Sequence, residues 1–134
     1  MNLKNICSGV FIDTHTFLWF ASGDEKLPIH IQDKIKNLKN SCFVSVASMW
    51  EISIKQRLGK LNSTLSIDKL FKLAEQNQIE IIQINSEHLM KLSKLPLHHN
   101  DPFDRLIISQ SIAEKLILIS KDTEFAQYQI KLIW

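Results

Sequence analysis

The 134-residue chain is 45% hydrophobic, long enough for one compact domain with its own core and too short for two ordinary ones. Its 16 Lys and Arg against 14 Asp and Glu leave a formal charge of +2, which as a sum is a weak argument for any polyanionic partner. Only three glycines occur, widely separated at Gly9, Gly23 and Gly59, so neither a Walker-type phosphate loop nor a dinucleotide fingerprint can be built, and ATP and NAD chemistry are set aside.

Short β-branched runs alternate with longer helical patterns along the chain, the signature of βαβ units around a mostly parallel sheet of four to five strands. The first strand is expected over 10–13 (VFID), in an apolar run that Asp13 breaks before it reaches the length of a signal-peptide core. Helical patterns follow over 15–21 and 29–40, and a second strand over 42–45 (CFVS). Further helical patterns cover 46–59 and 66–77, then a third strand 79–84 (IEIIQI) and a helix 86–93. After a loop at 94–101 (KLPLHHND) come a helix over 102–115, a strand over 117–120 (ILIS), a short turn after Asp122 and a weaker strand over 130–133 (IKLI). No repeat or Pro/Gly/Ser-rich linker interrupts the series, so residues 1–134 read as a single domain. No apolar stretch is long enough to span a bilayer, and a soluble cytoplasmic protein without membrane contact is expected. The two cysteines, Cys7 and Cys42, form no CxxC pair and fall in or beside apolar segments, as free thiols do.

Acidic residues recur where these strands end or helices begin. Right-handed crossovers bring the C-terminal ends of parallel strands to one edge, where open α/β sheets bind ligands. Asp13 closes the first strand and Asp122 comes two residues after the fourth, so both belong on that rim. Either is equally well explained as a helix N-cap. Glu51 borders the apolar face of its helix between Ala47 and Ile54; the simple alternative is a surface i,i+4 pair with Lys55. Asp101 followed by Pro102 is a strong helix start, which gives Asp101 a sufficient structural task. Asp104 is harder to explain, because Ile107 and Ile108 share its inward stripe and a buried carboxylate needs a positive or hydrogen-bonding partner. Ser111, further along that helix, is expected to hydrogen-bond within the same pocket.

Carboxylates crowded away from water are costly unless a cation sits among them, so a shared acidic pocket points to a metal ion. If five of the 14 acids gather there, nine remain against 16 basic residues elsewhere, a balance that suits a phosphate-bearing substrate. His98 and His99 are adjacent, so they project differently, and no third soft ligand has zinc-like spacing; the oxygen donors favour Mg²⁺ or Mn²⁺. Arg105, Lys55 and Lys121, with Arg57 and Lys60, lie near the acids in sequence and are candidates to hold phosphate, or ordinary solvated side chains. Glu124 is a possible helper to Asp122. Trp19 and Trp50 read as core or interface residues in preference to base-stacking platforms.

The ordered set FIDTHTFLW, SVASMWEISIK, HHNDPFDRLIISQ and LISKDTEF resembles the PIN-domain family, especially the VapC-type toxins of bacterial toxin–antitoxin pairs. Each piece alone is weak, and the four in this order are specific. The resemblance carries the family's acidic quartet onto Asp13, Glu51, Asp104 and Asp122, with Asp101 as an accessory acid and Thr14 and Ser120 as supporting groups. It implies an α/β/α sandwich, dependence on Mg²⁺ or Mn²⁺, endonucleolytic cleavage of RNA, a homodimer and inhibition by a small antitoxin protein. The apolar patterns at 29–40 and 66–77 are candidates for the dimer or antitoxin contacts.

Two alternatives stand beside this reading. FIDTHTF loosely resembles the nucleophile motif of haloacid-dehalogenase-type phosphatases, with Asp13 as the phosphorylated residue, although His15 stands where a second acid belongs. The other is a non-catalytic RNA-binding or signalling module that keeps the fold without hydrolysis.

Overall fold

The computed structural model describes residues 9–61 and 65–134. Cys7 lies outside them. Five parallel strands form one sheet: β1 (Gly9–Ile12), β2 (Ser41–Ser45), β3 (Ile79–Ile82), β4 (Ile117–Ile119) and β5 (Leu132–Ile133). Six α-helices connect or flank them: α1 (Thr14–Ser22), α2 (Ile29–Lys36), α3 (Val46–Arg57), α4 (Ile67–Gln76), α5 (Ser86–Ser93) and α6 (Pro102–Glu114). A 3₁₀ helix, Thr123–Gln127, lies between β4 and β5.

Side-chain alternation along the strands separates two apolar layers. Val10, Ile12, Cys42, Val44 and Ile79 face one way and pack with Phe17, Ile31, Ile35, Ile52, Leu70 and Ala74 of helices α1 to α4. Phe11, Phe43 and Leu118 face the other way, against Ile107 and Ile108 of α6 and Phe125 and Tyr128 near the 3₁₀ helix. Register accounts for the second row, since Phe11 pairs with both Phe43 and Leu118. The result is the three-layer α/β/α sandwich expected of the sequence, with the sheet buried on both faces as parallel sheets require.

Expected and observed elements agree in number and order. The largest departure is α2, which stops at Lys36 instead of running to residue 40. Asn37 has an extended backbone, and its side-chain oxygen accepts from Lys39 N at 3.0 Å; this local turn competes with helix, and Asn40 closes it by donating to Lys34 O at 3.0 Å. On the opposite layer, Gln110 of α6 ties helix to sheet. Its Oε1 accepts from the Ser45 hydroxyl, and its Nε2 lies 3.3 Å from His88 Nδ1 of α5.

The strand order is β3-β2-β1-β4-β5. The chain moves outward from β1 in one direction through β2 and β3, then returns to the other side of β1 for β4 and β5. The sheet therefore has its topological switch point between β1 and β4. There the two adjacent chains diverge to opposite sides and leave a crevice beyond their carboxyl ends. Asp13 N, donating 3.2 Å to Ile119 O, is the last rung before that crevice.

Candidate active site

Asp13 enters the crevice because β1 ends there and α1 must begin. Its backbone is extended, and one carboxylate oxygen accepts from Thr16 N at 3.0 Å as the helix N-cap. The Thr16 hydroxyl donates to that same oxygen, and Ser120 Oγ donates to the other at 2.6 Å. The capping role is real, and it also fixes the carboxylate in place. Burial raises the pKa of Asp13, more than the hydrogen bonds from Ser120 and Thr16 lower it. Ser120 accepts from Asp122 N at 3.0 Å, so a single hydroxyl couples the end of β1 to the turn after β4.

Glu51 is buried, with only 3% of its surface exposed. The i,i+4 pair with Lys55 exists, with Nζ 2.6 Å from Oε2, but it extends inward and not across an open surface. Thr14 Oγ1 lies 2.7 Å from Glu51 Oε1 and 2.9 Å from Ser48 Oγ, so one hydroxyl orients the carboxylate and is itself held. Burial opposes a charge on Lys55, yet its pKa is raised by the Glu51 contact and by the fields of Glu51, Asp101 and Asp104. Lys55 thus serves as an internal counter-ion to the acids.

Asp104 sits half-buried at the first turn of α6. Burial pushes its pKa up, and Asp101, Glu51, Asp13 and Asp122 push it further, to about 7. Three of these acids come from distant parts of the sequence and Asp101 from the cap of the same helix, and all four charges act on one carboxyl, as the sheet topology predicts. Asp101 stays exposed and caps α6, its Oδ1 accepting from Phe103 N at 2.8 Å and Asp104 N at 3.0 Å. Asp122 caps the 3₁₀ helix through Glu124 N at 2.9 Å, leaving its other oxygen uncommitted to that cap.

Two expected participants go elsewhere. Ser111 does not bond within the acid pocket: it lies two turns along α6, and its hydroxyl donates 3.0 Å to Leu116 O, tying off the helix end. Arg105 is not free to hold phosphate, because its guanidinium donates to Pro96 O at 2.8 Å and Leu95 O at 3.1 Å, pinning the loop before α6. Lys121 does remain exposed at the rim, with Nζ 6.0 Å from the centre of the Trp19 ring. Beside it a cavity of about 300 Å³ is lined by Asp13, His15, Trp19, Lys121 and Asp122. Trp50 is half-exposed and packs edge-on against Phe103 at 5.0 Å.

Thr16 and Ser48 were not singled out from the sequence. Thr16 had a readable signal, since it stands three residues after a capping Asp, where a side chain can return a bond to the cap. Ser48 had none.

A model of the PIN domain matches residues 10–131, nearly the whole chain. The chain belongs to the PIN domain family. Solved structures agree with this PIN domain in fold. They include VapBC2 from Rickettsia felis bound to a promoter DNA fragment, at TM-score 0.70 and 17% identity, covering 94% of this chain and 98% of that one. DNA-bound VapBC from Salmonella typhimurium has TM-score 0.70 and 14% identity, covering 94% and 97%. VapBC-1 from nontypeable Haemophilus influenzae has TM-score 0.68 and 17% identity, covering 93% and 96%. No curated protein matches by sequence. Membership of the family removes the ground for the phosphatase alternative at Asp13. Among the described residues, no helix is long and apolar enough to cross a membrane.

Proposed function

We propose that this PIN domain is a divalent-metal-dependent endoribonuclease, the dimeric VapC-type toxin of a toxin–antitoxin pair. The observation that carries the reading is the convergence on Asp104: burial, and then the charges of four other acids, raise its pKa to about 7, so the site holds more negative charge than Lys55 alone offsets. Hard oxygen donors and crowded negative charge fit Mg²⁺ or Mn²⁺. Asp13, Glu51, Asp104 and Asp122 would hold the ion, with Asp101 contributing charge from outside. When bound, such an ion supplies Lewis acidity for hydrolysis of a phosphodiester by water.

The chain's own residues prepare that chemistry. Thr16 and Ser120 hold Asp13 from both oxygens, and Thr14 holds Glu51, so these ligands need little reorganisation. To hold the ion, Asp104 would have to be in its carboxylate form. Lys55 balances the acids before loading and must release Glu51 Oε2 if that oxygen is to bind the ion. Lys121, exposed at the rim, would meet a phosphate. The solved relatives are VapBC complexes, and a small antitoxin partner for this chain is proposed on that likeness.

The test is incubation of purified protein with mixed RNA and Mn²⁺, beside Asp13→Asn and Asp104→Asn controls. Internal cleavage that both substitutions and EDTA abolish is expected. Cleavage surviving either substitution, or absent with every divalent ion, would overturn the mechanism and favour the non-catalytic module.

A further inference from the structure

His99 and Glu124 remain outside the acid quartet, and they meet at its edge. His99 belongs to the loop before α6, and its ring is fixed by aromatic neighbours: stacked on Tyr128 at 5.5 Å and 19°, edge-on to Phe125 at 5.3 Å. Its backbone N–H donates to Tyr128 Oη at 2.9 Å, and Nδ1 lies 3.3 Å from that same oxygen. The residue is only 8% exposed, and Nε2, wholly shielded from solvent, makes no hydrogen bond. What Nε2 faces is acidic. Glu124 Oε2 lies 3.2 Å away, close but out of line for a ring N–H bond, and Asp122 Oδ2 lies 3.8 Å away.

We propose that His99, Asp122 and Glu124 form a second divalent-cation position, beside the carboxylate quartet and sharing Asp122 with it, that prefers a transition-metal ion such as Mn²⁺ or Zn²⁺ over Mg²⁺. Spacing supports this. With metal–donor bonds of about 2.1 Å, neighbouring ligand atoms stand about 3.0 Å apart in an octahedron and about 3.4 Å in a tetrahedron. The His99 nitrogen meets its two carboxylate oxygens at 3.2 and 3.8 Å, and all three donor atoms lie within 4.8 Å of one another. Small rotations of the half-exposed Asp122 and the exposed Glu124 carboxylates would close the set around an ion. The aromatic packing leaves the imidazole already oriented. With Nδ1–H directed to Tyr128 Oη, Nε2 carries the lone pair that coordination needs.

Donor chemistry selects the ion. An imidazole nitrogen with two carboxylates suits Mn²⁺ or Zn²⁺, whereas Mg²⁺ prefers oxygen throughout. The pairing of His98 with His99 plays no part. His98 is exposed and leans on the Tyr128 edge at 4.9 Å, so the companion ligands come from the segment after β4 and not from the neighbouring histidine. Asp122 is the common element. One of its oxygens caps the 3₁₀ helix, the other faces His99, and its charge reaches Asp104. The inference rests on the quartet reading only through this shared residue.

The test uses untagged protein with ¹⁵N-labelled histidine, titrated with Zn²⁺ while ring-nitrogen resonances are followed by NMR, and with Mn²⁺ in equilibrium dialysis. In the unsubstituted protein and in Asp104→Asn, Zn²⁺ should move the His99 Nε2 resonance at low excess, while exposed His30, away from the acids, serves as the internal reference. Glu124→Gln, a substitution at an exposed position whose folding the amide spectrum verifies, should weaken that response at least about tenfold and bind one Mn²⁺ fewer per chain. A His99 ring that answers pH but not Zn²⁺, or a Zn²⁺ response unchanged in Glu124→Gln, would overturn the proposal and leave an ion pair only. RNA cleavage assayed in parallel separates the two readings: loss of the His99 response with cleavage intact counts against this site alone, and the converse against the nuclease alone.

Discussion

Asp104 concentrates the electrostatics of the whole site in one carboxyl. Its pKa stands near 7 in the fold against 3.8 as an ordinary Asp. A group raised in the folded state gives its full benefit below the unfolded value and loses it as pH rises through the folded one. The metal-free protein should therefore lose stability between about pH 4 and 7. The undiscounted shift corresponds to about 4 kcal/mol, but Asp104 is half-exposed and solvent screening reduces this to about 1–2 kcal/mol. In EDTA, urea unfolding of Asp104→Asn should show that slope flattened and higher stability at pH 7.5; an unchanged pH profile would mean that the acids do not share a pocket. Ser120 works in the opposite sense. Ser120→Ala strips a donor from buried Asp13 and a partner from Asp122 N, and should cost about 1–3 kcal/mol in the same measurement. Much of this was legible at single residues. An acid between isoleucines at the start of a helix announces itself, whereas Thr16, three residues after a capping Asp, carried a signal but was not singled out. Arg105 and Ser111 misled because their partners, carbonyls at Pro96, Leu95 and Leu116, are set by where a loop and a helix end settle, which no spacing encodes.

The helix start at Asp101-Pro102 combines a structural and an electrostatic role that substitution can separate. Asp101 satisfies two backbone N–H groups of α6 and is the foremost of the charges raising Asp104. Asn caps about as well as Asp but carries no charge. Asp101→Asn should therefore preserve thermal stability while lowering the pKa of Asp104 measured by carbon-detected NMR. Asp101→Ala should lower that pKa equally and also cost about 1 kcal/mol from the lost cap. If both variants leave Asp104 near 7, the assignment of Asp101 as a charge neighbour is wrong. Element identity was readable in the sequence because hydrophobic period and caps repeat the same message at α1, α3 and α6. The early end of α2 was not, since a local turn at Asn37 and a continuing helix compete through side-chain hydrogen bonds that leave the apolar periodicity unchanged.

At the scale of the molecule, the proposed metal site would link ion binding, protonation and folding in one equilibrium. The proposed quartet comes from the end of β1, the turn after β4, the second turn of α3 and the first turn of α6, so unfolding would disperse it and an ion would bind the folded state almost alone. Saturating to a hundredfold above Kd should stabilise that state by about 2.7 kcal/mol. For a chain of this length that is a rise in Tm of about 10 °C. Loading must displace the proton of Asp104, so affinity should fall about tenfold for each pH unit below 7. At the same Mn²⁺ concentration, lowering pH from 7.0 to 5.5 should thus shrink the gain to about 1 kcal/mol, or about 3–4 °C. Calorimetry in buffers of different ionisation enthalpy should detect close to half a proton released per ion at pH 7, rising towards one at pH 6. In Asp104→Asn both the proton release and the pH dependence should diminish, whatever affinity remains, with the remainder belonging to the buried Asp13 carboxyl, whose pKa is also raised. A Tm gain independent of pH between 5.5 and 7 in the unsubstituted protein would show that the ion binds away from Asp104, and the quartet would then need to be redrawn.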